Sequence, residues 1–295
     1  MKKNFLLLLS VFSATLFLGC ASKSAQKTSD TAKKDIYVQL YSVRDDISKD
    51  FASTIKKLGE IGYTGIEAAG YNDGKFYGLT PAAFKSAIEQ AGMKVLSSHT
   101  ARRLDDNIDN TNWQSVWQWW DQAIAAHKAA GMKYIVMPSM PVPKTLADLK
   151  KYCDYYNQVG ERCNKAGLKF GYHNHAFEFT QIEGQTMYDY MIQNTDPSKV
   201  FYEMDVYWTV EGKQDPVAYF NKYPGRFTLL HIKDDKELGQ SGKMDFDRIF
   251  QNIKNSGMKQ LVVEVEKYNH PPIESVRQSY EYLINNSNVK KTYAR

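Results

Sequence analysis

The sequence predicts an α/β protein, a (β/α)8 barrel, on three observations. Eight short β-rich segments alternate with helical windows along the chain. A glycine-centred refrain links the end of one helix to the next strand. Four segments in the second half finish in metal-ligand residue types at steps of 30, 26 and 33 residues, each about one strand–helix unit. From Asp35 to Arg295 there are 261 residues, close to the ~250 typical of one such barrel.

Strands are expected near Ile36–Tyr41, Gly65–Ala68, Lys94–Ser98, Tyr134–Met137, Lys169–His173, Val200–Met204, Phe227–Ile232 and Gln260–Glu264. The runs IYVQLY, YIVMP, FTLLHI and QLVVEV are almost continuously apolar, as parallel strands covered on both faces must be. The refrain reads IGYTGIEA, AGMKVLSSH, AGMKYIVMP, AGLKFGYHNH and SGMKQLVVEVE. In each, Gly62, Gly92, Gly131, Gly167 or Gly257 follows a helical pattern, where the left-handed conformation lets the chain turn back. Helix starts are marked by Thr80-Pro81, Thr145, Asp215-Pro216 and Asp245. WQSVWQWW at Trp113–Trp120 reads as a helix packed on the barrel wall, with sugar stacking as the alternative. A doubly wound open sheet is the competing fold, but no glycine-rich phosphate fingerprint follows a strand.

The N-terminal residues read as a secretory signal. Lys2 and Lys3 precede an apolar run, Phe5–Phe17, too short for a comfortable membrane span. Leu18-Gly19-Cys20 resembles a bacterial lipoprotein signal, which implies removal of residues 1–19 and lipid attachment at Cys20. Residues 20–34, rich in Ser, Thr, Lys and Ala, read as a flexible tether, and residues 35–295 as the catalytic domain. The expected address is a bacterial membrane, periplasmic or cell-surface. The formal charge of +5 falls to +3 without Lys2 and Lys3 and concentrates on no face, so no nucleic-acid partner is expected. Cys153 and Cys163 lie ten residues apart in one helical window, about 15 Å along its axis, and are expected as buried small hydrophobes.

The chemistry is read from KFGYHNHAFEF, VFYEMDVYW, FTLLHIKDD and QLVVEVE, which put His175, Asp205, His231 and Glu264 at or just past strand ends. A parallel β/α architecture gathers those ends on one face. Two imidazoles and two carboxylates suit a divalent metal: Mn, Zn, Co, Fe or Mg. Alternation puts Glu203 with Asp205, His231 with Lys233, and Glu264 with Glu266 on common sides of their strands. Such a cation polarises a sugar carbonyl while a carboxylate or imidazole takes the α-proton and Lys233 holds the developing oxyanion. The plain alternatives are unrelated polar residues at wet strand ends and, for Lys233, a surface ion pair with Asp234 or Asp235.

VQLYSVRDD, YHNHAFEF, DVYWTVEGKQDP, RFTLLHIKD and VVEVE, in that order, resemble the sugar phosphate isomerase/epimerase-like family of xylose isomerase-like TIM barrels, in its secreted lipoprotein branch. The resemblance spans Asp35 to Leu283. It implies a divalent metal at the barrel mouth, and Asp205, His231 and Glu264 carry over directly. The family's fifth-strand glutamate falls near Tyr172, so His175, His173 or Glu178 must complete the shell; His175 is taken as the ligand. Glu264, Lys233, His173 and Glu178 are then expected in catalysis, and Gln39, Glu67, His99, Trp208 and Glu266 at the substrate.

The activity implied is a metal-dependent sugar isomerase or epimerase abstracting a proton α to a carbonyl, on an unphosphorylated sugar or keto-glycoside. A 3-keto-glycoside lyase or hydratase of the same family is one alternative, and a non-catalytic lipid-anchored sugar-binding protein another. A nuclease on the same scaffold needs more ligands and a basic groove. The oligomeric state is open.

Overall fold

The computed structural model describes residues 33–293. The signal segment, Cys20 and most of the 20–34 tether lie outside the described residues. Eight parallel strands close into a barrel: β1 (Ile36–Gln39), β2 (Gly65–Ala68), β3 (Lys94–His99), β4 (Tyr134–Met137), β5 (Lys169–His173), β6 (Val200–Asp205), β7 (Phe227–Lys233) and β8 (Gln260–Glu264). Each strand pairs with its sequence neighbours, and β1 closes on β8 with Ile36 opposite Leu261.

Outside it run α1 (Arg44–Lys49), α2 (Phe51–Ile61), α3 (Pro81–Gln90), α4 (Trp113–Ala129), α5 (Leu146–Ala166), α6 (Met187–Asn194), α7 (Val206–Glu211), α8 (Pro216–Lys222), α9 (Phe246–Asn252) and α10 (Pro272–Asn285). Two connections, after β1 and after β6, hold a pair of helices where alternation alone predicts one. The expected start signals act as caps: Thr80, Thr145, Asp215 and Asp245 each accept a backbone N–H of the first turn. All five refrain glycines have positive φ. On α4, Trp120 is buried and its indole N–H donates to Tyr155 Oη of α5 at 2.6 Å, so the tryptophan-rich face packs on the neighbouring helix. Cys153 and Cys163 are buried and unpaired in α5.

The strand ends differ from expectation in a way that matters. β1 stops at Gln39, where the Gln39 side chain accepts the Tyr41 N–H and starts a 3-10 turn. β3, β6 and β7 each run one residue longer than expected, so His99, Asp205 and Lys233 are terminal strand residues.

Period-two alternation then sorts the barrel interior into levels. Low in the barrel, Tyr37, Phe201, Leu229 and Val262 belong to one buried apolar cluster. Two of its rings need glycine neighbours: a Cβ on Gly65 would sit 2.4 Å from the Tyr37 ring, and one on Gly171 would sit 2.4 Å from Phe201. Two residues further along β6, β7 and β8 come Glu203, His231 and Glu264. Two further still come Asp205, Lys233 and Glu266. The same step that seats an apolar floor lifts the polar side chains to the mouth.

Candidate metal centre

His173, Asp205, His231 and Glu264 each offer one ligand atom, all within 4.8 Å of one another, and all four residues are buried. The register explains the convergence. Asp205 of β6 lies opposite His231 of β7, and Lys233 of β7 lies opposite Glu264 of β8. His173 closes β5 opposite Glu203 of β6. His231 Nδ1 stands 3.4 Å from Glu264 Oε2 and 4.0 Å from Asp205 Oδ2. Three polar atoms of this set, His173 Nδ1, Asp205 Oδ2 and His231 Nδ1, are buried with no hydrogen-bond partner. Buried polar groups are seldom left so. Two imidazoles and two carboxylates with free lone pairs fit a borderline divalent cation.

Asp205 is held for this position by its own backbone. It caps α7, its Oδ1 accepting the Trp208 N–H at 2.8 Å, which leaves Oδ2 facing the cluster. Asn174 ties β5 to β6, its Oδ1 accepting from the Asp205 N–H at 3.2 Å and the Tyr188 hydroxyl at 3.0 Å.

The structure brings His173, not His175, into the four-residue cluster. β5 ends at His173, and the following turn rotates His175 until its ring stacks on Phe177, with centroids 5.6 Å apart. His175 still lines the cavity above the cluster. Glu178 does not reach it. Its two oxygens accept from the Tyr172 hydroxyl at 2.7 Å and the His175 N–H at 2.8 Å, so it brackets the turn from a fully buried position. Burial raises the Glu178 carboxyl to about 7 against those hydrogen bonds.

Beneath the cluster lies a second buried polar layer. Glu67 Oε1 is 2.7 Å from His231 Nε2, 3.1 Å from His99 Nε2 and 2.8 Å from the Gln39 amide nitrogen that donates to it; Ser97 Oγ donates to Oε2 at 2.6 Å. Glu203 Oε2 lies 2.8 Å from His99 Nε2 and 3.3 Å from His231 Nε2. Burial opposes charge here, but the imidazoles of His99 and His231 hold Glu67 well below the usual carboxylate range. His231 is raised well above an ordinary histidine: burial works against its charge, and Glu203 and Glu264 outweigh it. His173, desolvated and surrounded by cationic rings, is pushed well down. Burial raises Asp205 to about 8, despite Lys233.

Lys233 is buried and bridges Glu264 at 3.4 Å and Glu266 at 3.1 Å. It pairs with neither Asp234 nor Asp235: Asp234 accepts backbone and hydroxyl donors from its own loop, and Asp235 pairs with Lys267. Its ammonium also stands 5.7 Å from the Trp208 ring centroid. A cavity of about 460 Å³ opens over the whole arrangement, lined by Tyr41, His99, His173, His175, Glu264 and Glu266 among others. Ser97 and Asn174 are the participants that sequence reading missed. Ser97 was accessible to it, two residues before His99 on one strand face, whereas nothing in the sequence marks a turn asparagine as a cross-strand tie.

A family model described as "Xylose isomerase-like TIM barrel" matches residues 55–286. Two crystal structures described as sugar phosphate isomerase/epimerase, both from Parabacteroides distasonis ATCC 8503, are similar throughout. One is 36% identical, covering 87% of this chain and 100% of that one with a TM-score of 0.81. The other is 34% identical, covering 89% and 98% with a TM-score of 0.84. An inosose dehydratase of Lacticaseibacillus casei is 25% identical over 162 residues, 46% of this chain. The match spans 53% of that protein, about half the length of the curated relative. With the family model spanning most of the chain and a closed eight-stranded parallel barrel beneath it, this chain belongs to the xylose isomerase-like TIM-barrel family.

Proposed function

We propose that this chain is a metal-dependent sugar isomerase or epimerase that abstracts a proton α to the carbonyl of an unphosphorylated sugar. The observation that carries the reading is the buried set His173, Asp205, His231 and Glu264, with partnerless polar atoms on three of them, at the foot of a cavity sized for a small ligand. A divalent cation held there (manganese, zinc, cobalt, iron or magnesium) would supply Lewis acidity at the carbonyl oxygen.

The remaining work falls to this chain's own groups. Lys233, fixed between Glu264 and Glu266, presents a positive charge where the oxyanion develops. His99 at the end of β3, backed by Glu203 at 2.8 Å, and Glu266 just past β8 both border the cavity and take up and return the proton. Gln39 and Glu67 orient His99 and His231 from below rather than meeting the sugar themselves. His175 also lines the cavity, with its ring centroid 5.7 Å from that of Trp208 behind it. Phosphate recognition is left out of the reading because no glycine-rich cradle follows any strand.

A dehydratase or lyase of a keto-sugar shares the first step, and the resemblance to an inosose dehydratase favours it as the second reading. The test is solvent-deuterium incorporation into a panel of keto-sugars by the metal-replete protein. Exchange at the α-carbon is expected even where net conversion is slow; its absence across the panel, with the cation bound, would leave a sugar-binding protein. The location is also a proposal, resting on Leu18-Gly19-Cys20. Cys20→Ala is expected to move the protein from the membrane to the soluble fraction, and sedimentation that persists after a salt wash would refute the lipid anchor.

A further inference from the structure

The glycine refrain does more than turn the chain back. In four of its five copies a lysine follows: Lys94, Lys133, Lys169 and Lys259. Each begins a strand's hydrogen-bond ladder, their N–H groups donating to the carbonyls of Thr64, Leu96, Lys133 and Thr228 at 2.8–3.0 Å. All four are exposed. Lys34, Lys199 and Arg226 stand within two residues of β1, β6 and β7, so seven of the eight strand entrances carry a base, with Asp35 the acid among them. At the opposite ends the sign inverts. The last residues of the strands and the two after each hold Asp205, Asp234, Asp235, Glu264 and Glu266 against Lys233. Charge expected to concentrate on no face is thus separated along the barrel axis, because parallel strands put every entrance at one end.

Three of these bases are engaged locally. Lys199 pairs with Glu161 at 3.1 Å, Arg226 donates to the carbonyls of Ile192 and Thr195, and Lys34 to those of Leu283 and Asn286. Lys94, Lys133 and Lys169 pair with no carboxylate among the described residues, although Lys169 donates to Asn164 Oδ1 at 2.8 Å. They occupy consecutive strands, β3 to β5, and the exposed Lys128 joins them in the turn from α4 to β4. Like charges on neighbouring strands destabilise a sheet, so folding gains nothing from this arc. The exposed aromatic ring among the described residues, Tyr41, lies at the other end beside the cavity. A basic face without rings to stack on bases suits a headgroup surface better than a nucleic acid. The chain also enters the barrel at this face, with Lys33 thirteen residues after Cys20.

We propose that the strand-entry face of the barrel is a docking surface for an anionic lipid bilayer, which turns the cavity away from the membrane. Lys94, Lys128, Lys133 and Lys169 meet the headgroups, and the carboxylates at the mouth are repelled by them. The contact belongs to the barrel's own lysines and does not depend on lipid at Cys20.

The test is lysine acetylation, read by mass spectrometry, of the full chain with vesicles of phosphatidylcholine alone or mixed with phosphatidylglycerol. Lys94, Lys133 and Lys169 are expected to react about fivefold more slowly or less on the anionic vesicles, the effect of one basic group at such a surface. Lys144 and Lys267, exposed in loops at the mouth, should react equally on both. The difference should vanish in about 0.5 M salt, where the screening length falls to a few ångströms. In a Lys94→Gln, Lys133→Gln, Lys169→Gln variant, the protection of Lys128 should be lost as well. Equal acetylation on the two vesicles, or protection at Lys144 and Lys267 instead, would overturn the docking face. Equal protection by a DNA duplex without lipid would overturn the bilayer as its partner.

Discussion

His231 makes two different contacts through its two ring nitrogens: Nε2 meets Glu67 Oε1 at 2.7 Å, while Nδ1 faces Glu264 and Asp205 without a hydrogen bond. A carboxylate can only accept, so Glu67 holds a proton on Nε2, and a cation binding at Nδ1 displaces only the proton that Glu203 and Glu264 favour on the ring. Glu67→Gln presents an amide that can donate as well as accept and no longer enforces this tautomer. We expect its cation affinity to fall about 10–100-fold, the usual cost of losing such a support, with the barrel intact. Titration of the apo-protein with Mn²⁺ or Zn²⁺ measures it, and unchanged affinity would remove Glu67 from this role.

Asp205 has two jobs on two oxygens, and substitutions separate them. Asp205→Asn keeps an oxygen for the Trp208 N–H, so thermal stability should hold while cation affinity falls. Asp205→Ala loses the α7 cap as well and should cost a further ~1 kcal/mol. Denaturant melts beside metal titrations read the two effects. Equal stability of both variants would mean that the cap contributes nothing.

Lys233→Met keeps most of the side chain's length and removes its charge. Cation stoichiometry should stay the same and α-proton exchange should slow about 10²–10³-fold, the effect of losing one donor to a developing oxyanion. Loss of the cation from this variant would instead mean that Lys233 supports the fold of the site and not the reaction.

His127 gives a pH dependence of stability away from the metal residues. Its Nδ1–H donates to the Ala123 carbonyl at 2.6 Å, and Nε2 meets Thr100 Oγ1 at 2.9 Å. Burial lowers its pKa from 6.5 to about 4. Between those values the unfolded chain binds the proton and the native chain does not, so the contribution is whole above pH 6.5 and declines as pH falls toward 4. Urea melts at pH 7 and 4.5 should show wild-type protein losing about 2–3 kcal/mol more than His127→Gln, at ~1.4 kcal/mol per pKa unit. Parallel losses in the two proteins would contradict this.

Much of the architecture was legible from the chain. Apolar runs, capping residues such as Thr145 and turn glycines such as Gly167 act within a few residues of themselves, so the eight strands and the helix starts follow from local chemistry. Alternation also paired Glu203 with Asp205, His231 with Lys233 and Glu264 with Glu266, because a strand fixes its faces by parity. The address at Cys20 stays a reading of the sequence, since it lies outside the described residues.

Tertiary structure decided what depends on where a strand stops and what surrounds it. His173 and His175 share parity, and only the end of β5 and the Glu178 bracket separate the residue in the cluster from the one turned toward Phe177. Glu178 looks like a mouth carboxylate in sequence and is spent on Tyr172 and a backbone N–H. For Lys233 the sequence left a surface ion pair with Asp234 or Asp235 as the plain alternative, and only the structure encloses it between Glu264 and Glu266. The polar layer of Gln39, Glu67, Ser97, His99 and Glu203 spans four strands: Gln39 and Ser97 reach Glu67 from its neighbouring strands, whereas the His99–Glu203 and Glu67–His231 contacts exist only after barrel closure sets β2 and β3 facing β6 and β7. Sequence fixes a side chain's face along its own strand; its partners across the barrel come from closure and register, which are properties of all eight strands together.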